Sequence, residues 1–399
     1  MGSWRFSNFY FFYFSSVGII VPYWSLYLQH LQFTAAEIGE LTAILVLTKV
    51  VAPNIWGSLA DRMNVRSGNS LRILRWATGG SLVIFCVLYL QEASGVGSLA
   101  TNYWLMALVL LGYSVFWNAC MPQVEAATLN HLAGERYRYG SIRLWGSVGF
   151  IVTVLGMGYV MDHTGPSIIL HAGAFSFFAL FVASFFLSSQ AAVRKADTTI
   201  VPLRQLLNRR VVLILVLCTL MQASHAPFYT FFSIYLESYD YSKSHIGWLW
   251  TIGVIFEIGI FILGYRLLRQ YRLINLLTFT FAVAALRWFM LAQFPESVLT
   301  VWAAQILHAI TYGLNHSVMM QLIDQFFQGR YQVRGQALYL SMSFGIGGAI
   351  GSAGSGYIWS ALGANQLFFV SAALMLVVTL FSYFFLTPKE EQIPIKTMN

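Results

Sequence analysis

Lys49, Glu125, Arg143, Glu257, Arg287 and His308 stand inside stretches of otherwise apolar sequence. A charge in such surroundings is costly and faces a cavity or a partner. These residue types hold and move charge. An arginine offers a planar fork of donors suited to a carboxylate or to vicinal hydroxyls. A carboxyl group whose proton affinity changes with its neighbours can carry a proton, and a histidine can relay one near neutral pH. Glu125 and Arg143 fall on consecutive apolar stretches and can meet, either to line a substrate site or to pin two helices together. Glu257, Arg287 and His308 fall on three consecutive stretches, with Glu257 and His308 near mid-depth and Arg287 further out. Glu257 is the best candidate for a proton site, tuned by Arg287 or Arg143; the competing reading is a static charge pair. Lys49 lies too deep to snorkel and is expected to face a cavity, attracting an anion or pairing with Glu257. His225, in Ala223-Ser-His-Ala-Pro-Phe-Tyr229, is a packing residue or a ligand contact, and His316 is a further candidate for proton relay.

Aromatic residues beside these groups are the candidates for a cavity wall: Tyr23, Trp24, Tyr27, Trp145, Tyr229 and Tyr312. Tyr23 and Tyr27 are one helical turn apart and share a face. Such a wall suits a ring-bearing substrate, whether phenyl, sugar or base. The glycine-rich run Gly345–Gly356 lies in an apolar stretch with no GK[ST] after it, so close helix packing explains it better than a phosphate loop. No Walker, HExxH or GxSxG motif occurs, and Cys86, Cys120 and Cys218 lie far apart in apolar runs. No ATP, metal or other cofactor is expected, and no enzyme.

These side chains need elements that hold them in an apolar medium. Of the 399 residues 58% are hydrophobic and 10% charged, with a mean hydropathy of +0.66; a soluble domain carries about 25% charge. That excludes a soluble enzyme, disorder and fibrous classes, and leaves a polytopic membrane protein. Runs of about 20 residues fall near 6–31, 38–60, 72–91, 103–127, 139–161, 167–189, 209–236, 245–267, 272–293, 297–322, 334–360 and 364–387. They are continuous rather than alternating, so they are helices. The first is too long for the core of a signal peptide.

Nineteen of the 23 Lys and Arg fall in the tails and one set of alternate loops; Lys243 alone falls in the opposite loops, and Lys49, Arg143 and Arg287 lie within spans. This asymmetry predicts that both termini are cytoplasmic, in what is expected to be a bacterial inner membrane. The net charge of +8 is therefore a topology signal, and no nucleic-acid partner is expected.

The chain also repeats at an offset of 208. Residues 23–41 (YWSLYLQHLQFTAAEIGEL) align without a gap on 231–249 (FFSIYLESYDYSKSHIGWL), and the offset sets Lys49 over Glu257. Six spans is an even number, so the halves are parallel repeats. The expected architecture is an all-α membrane protein of 12 transmembrane helices in two pseudo-symmetric six-helix bundles, residues 1–189 and 209–399, joined by a polar linker at 190–208.

Gly57-Ser-Leu-Ala-Asp61-Arg62, with Arg66, resembles the loop 2–3 signature of the major facilitator superfamily. The resemblance implies that Gly57, Asp61, Arg62 and Arg66 form a cytoplasmic latch. Pro122-Gln-Val-Glu125-Ala, Tyr139-Gly-Ser-Ile-Arg143-Leu-Trp145-Gly-Ser-Val-Gly-Phe150 and Gln305-Ile-Leu-His308-Ala-Ile-Thr311-Tyr312, with His316, are together similar to the phenylpropionate permease family, related to the lactose permease group. The resemblance spans essentially the whole chain. It implies a secondary transporter working by alternating access on a small organic solute, with protons as partner. It also implies a monomer, with Glu125 and Arg143 at the substrate. In the lactose permease group a glutamate follows the span-10 histidine by three positions. Here Thr311 stands there, which leaves Glu257 as the proton candidate. An aromatic carboxylate is the expected substrate, with a sugar or nucleoside as the alternative.

Overall fold

The computed structural model describes residues 3–67, 71–93, 102–132, 135–188, 207–328 and 331–386. The apolar runs become the helices α1 (Ser3–His30), α2 (Ala35–Ser67), α3 (Leu71–Ala93), α4 (Tyr103–Leu132), α5 (Tyr139–Thr164), α6 (Ile168–Phe186), α7 (Arg209–Glu237), α8 (Lys243–Gln270), α9 (Leu273–Gln293), α10 (Val298–His308), α11 (Asn315–Phe326), α12 (Gln332–Leu340), α13 (Gly348–Leu362) and α14 (Ala364–Phe385). Two π-helical turns, Ala309–Leu314 and Ser341–Gly347, join α10 to α11 and α12 to α13.

Among the described residues nine helices are long and apolar enough to cross a membrane. The other expected spans are α2 and the two rods interrupted by π turns. The expected linker 190–208 lies outside the described residues but for its last two positions.

Local sequence explains where helices start. At α2 the Thr34 hydroxyl accepts from Glu37 N at 3.3 Å while the Glu37 carboxylate accepts from Thr34 N at 2.8 Å, a reciprocal cap. Asn208, Ser242 and Ser297 each accept from a first-turn N–H of α7, α8 and α10.

The first six helices pack together, α1 on α5 and α6, α2 on α4, and α3 on α4 and α6. The later helices do likewise, α7 on α13 and α14, α8 on α10, and α9 on α14 and α10. The halves meet through α2 with α13, α5 with α8 and α1 with α7. The Arg138 guanidinium donates to Ser3 Oγ at 3.3 Å, so the start of α1 and the α4–α5 connection share one end, the terminus end. The opposite end is called the far end below.

The repeat is visible in these crossings. Gly39 and Gly247, mates at the 208 offset, each sit where their helix meets the other half. A Cβ on Gly39 would lie 2.6 Å from Ser352 O, and one on Gly247 would lie 2.8 Å from Tyr23 Oη. The glycine-rich run packs as expected: Gly345 meets Val50 and Gly356 meets Ala35 on α2, while Gly347 meets Thr219 and Gly351 meets Ala223 on α7.

Candidate functional site

Val154 and Gly158 on α5 meet Gly247 and Lys243 on α8 in an antiparallel register. Eleven residues back from Val154 is Arg143, and eleven on from Gly247 is Ile258. The register thus brings Arg143 level with Glu257. At this level both residues are only half-buried.

Arg143 is the hub of the charged groups at this level. Its guanidinium lies 4.0 Å over the Phe14 ring and 5.4 Å from Tyr10, both on α1. It interacts electrostatically with Glu125 in its own half and with Glu257 in the other. Among the described residues neither acid makes an ion pair with it. The Tyr139 hydroxyl, one turn before Arg143, donates to Glu125 Oε1 at 3.3 Å. The arrangement sets a guanidinium fork near two carboxylates, one of which, Glu125, already accepts from Tyr139.

On α8, Glu257 lies against the π turn. Its Cγ would sit 3.1 Å from a Cβ at Gly313, so a side chain there would press the acid back by a few tenths of an ångström. His308 stacks on Tyr312 at 5.3 Å, with Phe228 at 5.4 Å and Tyr229 at 6.3 Å, and Tyr312 meets Phe344 edge-on. These rings form an aromatic wall beside Glu257. His316 packs against Tyr339 and Phe344 on the neighbouring rod.

Arg287 is fully buried, and its guanidinium lies 4.5 Å from the Phe228 ring and 4.3 Å from the Trp288 ring. It donates to Ala304 O at 2.8 Å, Thr311 Oγ1 at 3.3 Å and Gln305 Oε1 at 3.5 Å. Two aromatic rings and neutral acceptors surround the cation. His225 joins the same network. Its Nδ1 donates to Met221 O at 2.9 Å, and in the neutral ring Nε2 accepts from Thr311 Oγ1 at 3.2 Å. With both nitrogens engaged and 1% of its surface exposed, it is packing within this network rather than a ligand contact.

Lys49 is exposed on the face of α2 opposite Leu47, Val51 and Ile55, the stripe of large apolar side chains that faces away from the protein. It therefore faces inward, one residue before the Val50–Gly345 contact between the halves. It pairs with neither Glu257 nor any other acid among the described residues.

Other expected wall residues lie elsewhere. Tyr27 is 0% exposed and donates to Glu92 of α3, and Trp24 packs between Tyr27 and Phe85 inside the first half. The Tyr23 hydroxyl donates to Val154 O at 2.7 Å, at the far-end closure. One turn apart on one face, these residues meet different neighbouring helices. Trp145 is 49% exposed and shares a stripe with Val152 and Tyr159, opposite Arg143. Gly57 is on α2; Asp61, Arg62 and Arg66 follow it, and their side chains lie outside the described residues.

Sequence reading missed Tyr10 and Phe14, whose only signal is aromatic density in α1, and Tyr139, which the one-turn spacing to Arg143 does point to. It also missed Gln305 and Phe344. No group of His, Cys, Asp and Glu able to hold a metal occurs among the described residues. An enclosed void lined by Trp24, Phe85 and Tyr113 inside the first half measures about 10 Å³, room for about one water and no organic solute.

Two groups of apolar helices with charged side chains where the groups meet define a multi-pass membrane protein. The MFS_1 like family model matches residues 3–370, and the chain belongs to that family, one of major facilitator transporters and not of enzymes. It is 29% identical over 374 residues to the Escherichia coli (strain K12) protein named "Probable 3-phenylpropionic acid transporter", covering 92% of this chain and 93% of that one. It is 26% identical over 387 residues to the maltose permease of Geobacillus stearothermophilus, covering 94% and 93%. The crystal structure of nucleoside transporter NupG superposes with a TM-score of 0.81 at 17% identity, over 96% of this chain and 98% of that one. The peptide transporter PepTSo, of the POT family, does so at 0.72 and 13%, over 95% of each chain. These two likenesses establish the fold alone.

Proposed function

We propose that the protein is a proton-coupled symporter of a small organic solute, with an aromatic carboxylate such as phenylpropionate as substrate. The observation that carries this reading is Glu257, an acid with no ion pair among the described residues, level with Arg143 of the other half and interacting with it electrostatically, beside an aromatic wall. Glu257 exchanges the proton. Arg143 holds the substrate carboxylate when Glu257 is protonated and attracts the Glu257 carboxylate when the substrate has left. Lys49 is a second cation for the anion, and Tyr229, His308 and Tyr312 take the ring. Residues 1–189 and 209–399 rock about the site as two bundles, with both termini in the cytoplasm of a bacterium and the protein acting as a monomer.

A second reading is a sugar or nucleoside symporter. It rests on Glu125, whose carboxylate beside Arg143 accepts from the Tyr139 hydroxyl and so suits hydroxyl groups, and it is the chemistry named for the maltose and nucleoside relatives.

The test is proteoliposomes carrying a lumenal pH dye and given 3-phenylpropionate, maltose or a nucleoside, with protein-free vesicles measuring passive acid permeation. Acidification by phenylpropionate above the passive rate is the expected result. Acidification by maltose or nucleoside alone moves the protein to the second reading, and none with any solute rejects proton symport of these classes.

A further inference from the structure

At the far end, Asp162 in the last turn of α5 crosses to the other half. Its Oδ1 accepts from Lys243 N at 2.7 Å, and its Oδ2 accepts from Ser244 N at 3.0 Å and from the Ser244 hydroxyl. These are first-turn groups of α8, which no intrahelical carbonyl can satisfy. The helix already has its own cap, because Ser242 takes the N–H of His245. Asp162 therefore supplies a second cap from a residue 81 positions away, with a charge of the sign that a helix N-terminus favours. The Lys243 ammonium is engaged elsewhere, with Glu237 at 2.6 Å, so the carboxylate holds backbone and a hydroxyl.

The contact sits at the tightest part of the α5–α8 crossing. One turn below, a Cβ on Gly158 would lie 2.5 Å from Lys243 O, and below that Tyr23 ties to Val154 O. On the other flank of the closure Glu40 of α2 accepts from Tyr357 of α13. In both places the acceptor is an acid of the first half and the donor belongs to the second.

We infer that Asp162 is a clasp that holds the two halves shut at the far end by capping α8, and that it must release for the cleft to open there. The inference rests on the reading that the halves rock. It makes Asp162 a positioning residue: it touches no substrate, and it sets how often the far end is open.

The test uses the full-length protein with Cys86, Cys120 and Cys218 changed to Ser and a single cysteine placed by Val154→Cys, a position buried under the closure. Alkylation of that cysteine by a maleimide in membranes reports opening. Asp162→Ala is expected to speed labelling about fivefold, as loss of a helix cap would, and Asp162→Asn, which keeps one acceptor oxygen, by less. Gly158→Val, whose bulk cannot enter the crossing, is the open control. Fast labelling of the control with Asp162→Ala unchanged overturns the clasp and leaves rocking intact. Slow labelling of every variant, the control included, overturns rocking and the clasp with it. Thermal unfolding of each variant separates opening from unfolding, and an Asp162→Ala protein that labels quickly only because it has melted also overturns the clasp.

Discussion

Arg143 and Glu257 stand level on α5 and α8, in opposite halves, coupled through space without an ion pair. A pair in contact would bind the halves together. A separated pair can trade partners, and so can couple a proton to a solute.

Replacing Glu257 by Gln removes the titrating group but keeps shape and hydrogen bonding. The expected outcome is loss of uptake driven by a pH gradient, with solute exchange across equilibrated vesicles retained. Radiolabelled uptake and counterflow, measured side by side, decide it; full gradient-driven accumulation by the variant would end the assignment.

Lys49 predicts selectivity by charge. A charge-assisted hydrogen bond is worth about 1.5 kcal/mol or more, which is about tenfold in affinity. Lys49→Ala should therefore raise KM for carboxylates about tenfold, and Lys49→Arg should restore most of the loss. An unchanged KM in the alanine variant would take Lys49 out of the site.

Thr311 predicts a stability loss without a change of size. Its hydroxyl accepts from Arg287 and meets His225. Thr311→Val leaves both groups short of a partner in a buried setting, at a cost of about 1–3 kcal/mol. A lowered unfolding midpoint in detergent is the measurement, and a variant as stable as the parent would show that Arg287 and His225 do not need the Thr311 hydroxyl.

Two glycines of α5 should respond in opposite directions. A Cβ on Gly149 would lie 2.2 Å from Phe11 O, a backbone atom of α1, whereas nothing lies within 4 Å of one on Gly156. Gly149→Ala should destabilise by about 1–3 kcal/mol or more through overpacking, and Gly156→Ala should stabilise by about 0.5–1 kcal/mol. Unfolding midpoints of the two variants test both signs.

Much of this protein is legible in its sequence. Hydropathy over some twenty residues identifies a span whatever surrounds it, because the bilayer responds to average composition. The cost of charge in that medium picks out Glu125, Arg143, Glu257, Arg287 and His308 before any fold is known. The repeat pairs Gly39 with Gly247, and both do sit at crossings between the halves.

What sequence could not supply is which neighbour each face meets. Tyr23 and Tyr27 share a face, yet one seals the far end and the other bonds Glu92, since a single face runs past several helices. Trp145, two residues from Arg143, turns the opposite way because successive helical positions differ by about 100°. Lys49 and Glu257 are repeat mates but do not pair: symmetry gives equivalent positions in each half and says nothing of the distance across the cleft. Arg287, read as a candidate to tune Glu257, meets two aromatic rings and three neutral acceptors. Composition and periodicity act along the chain and were enough to define a polytopic helical membrane protein, and the resemblance of its motifs added the transporter reading. The couplings that make a site depend on contacts between distant helices, and only the packed structure decided those.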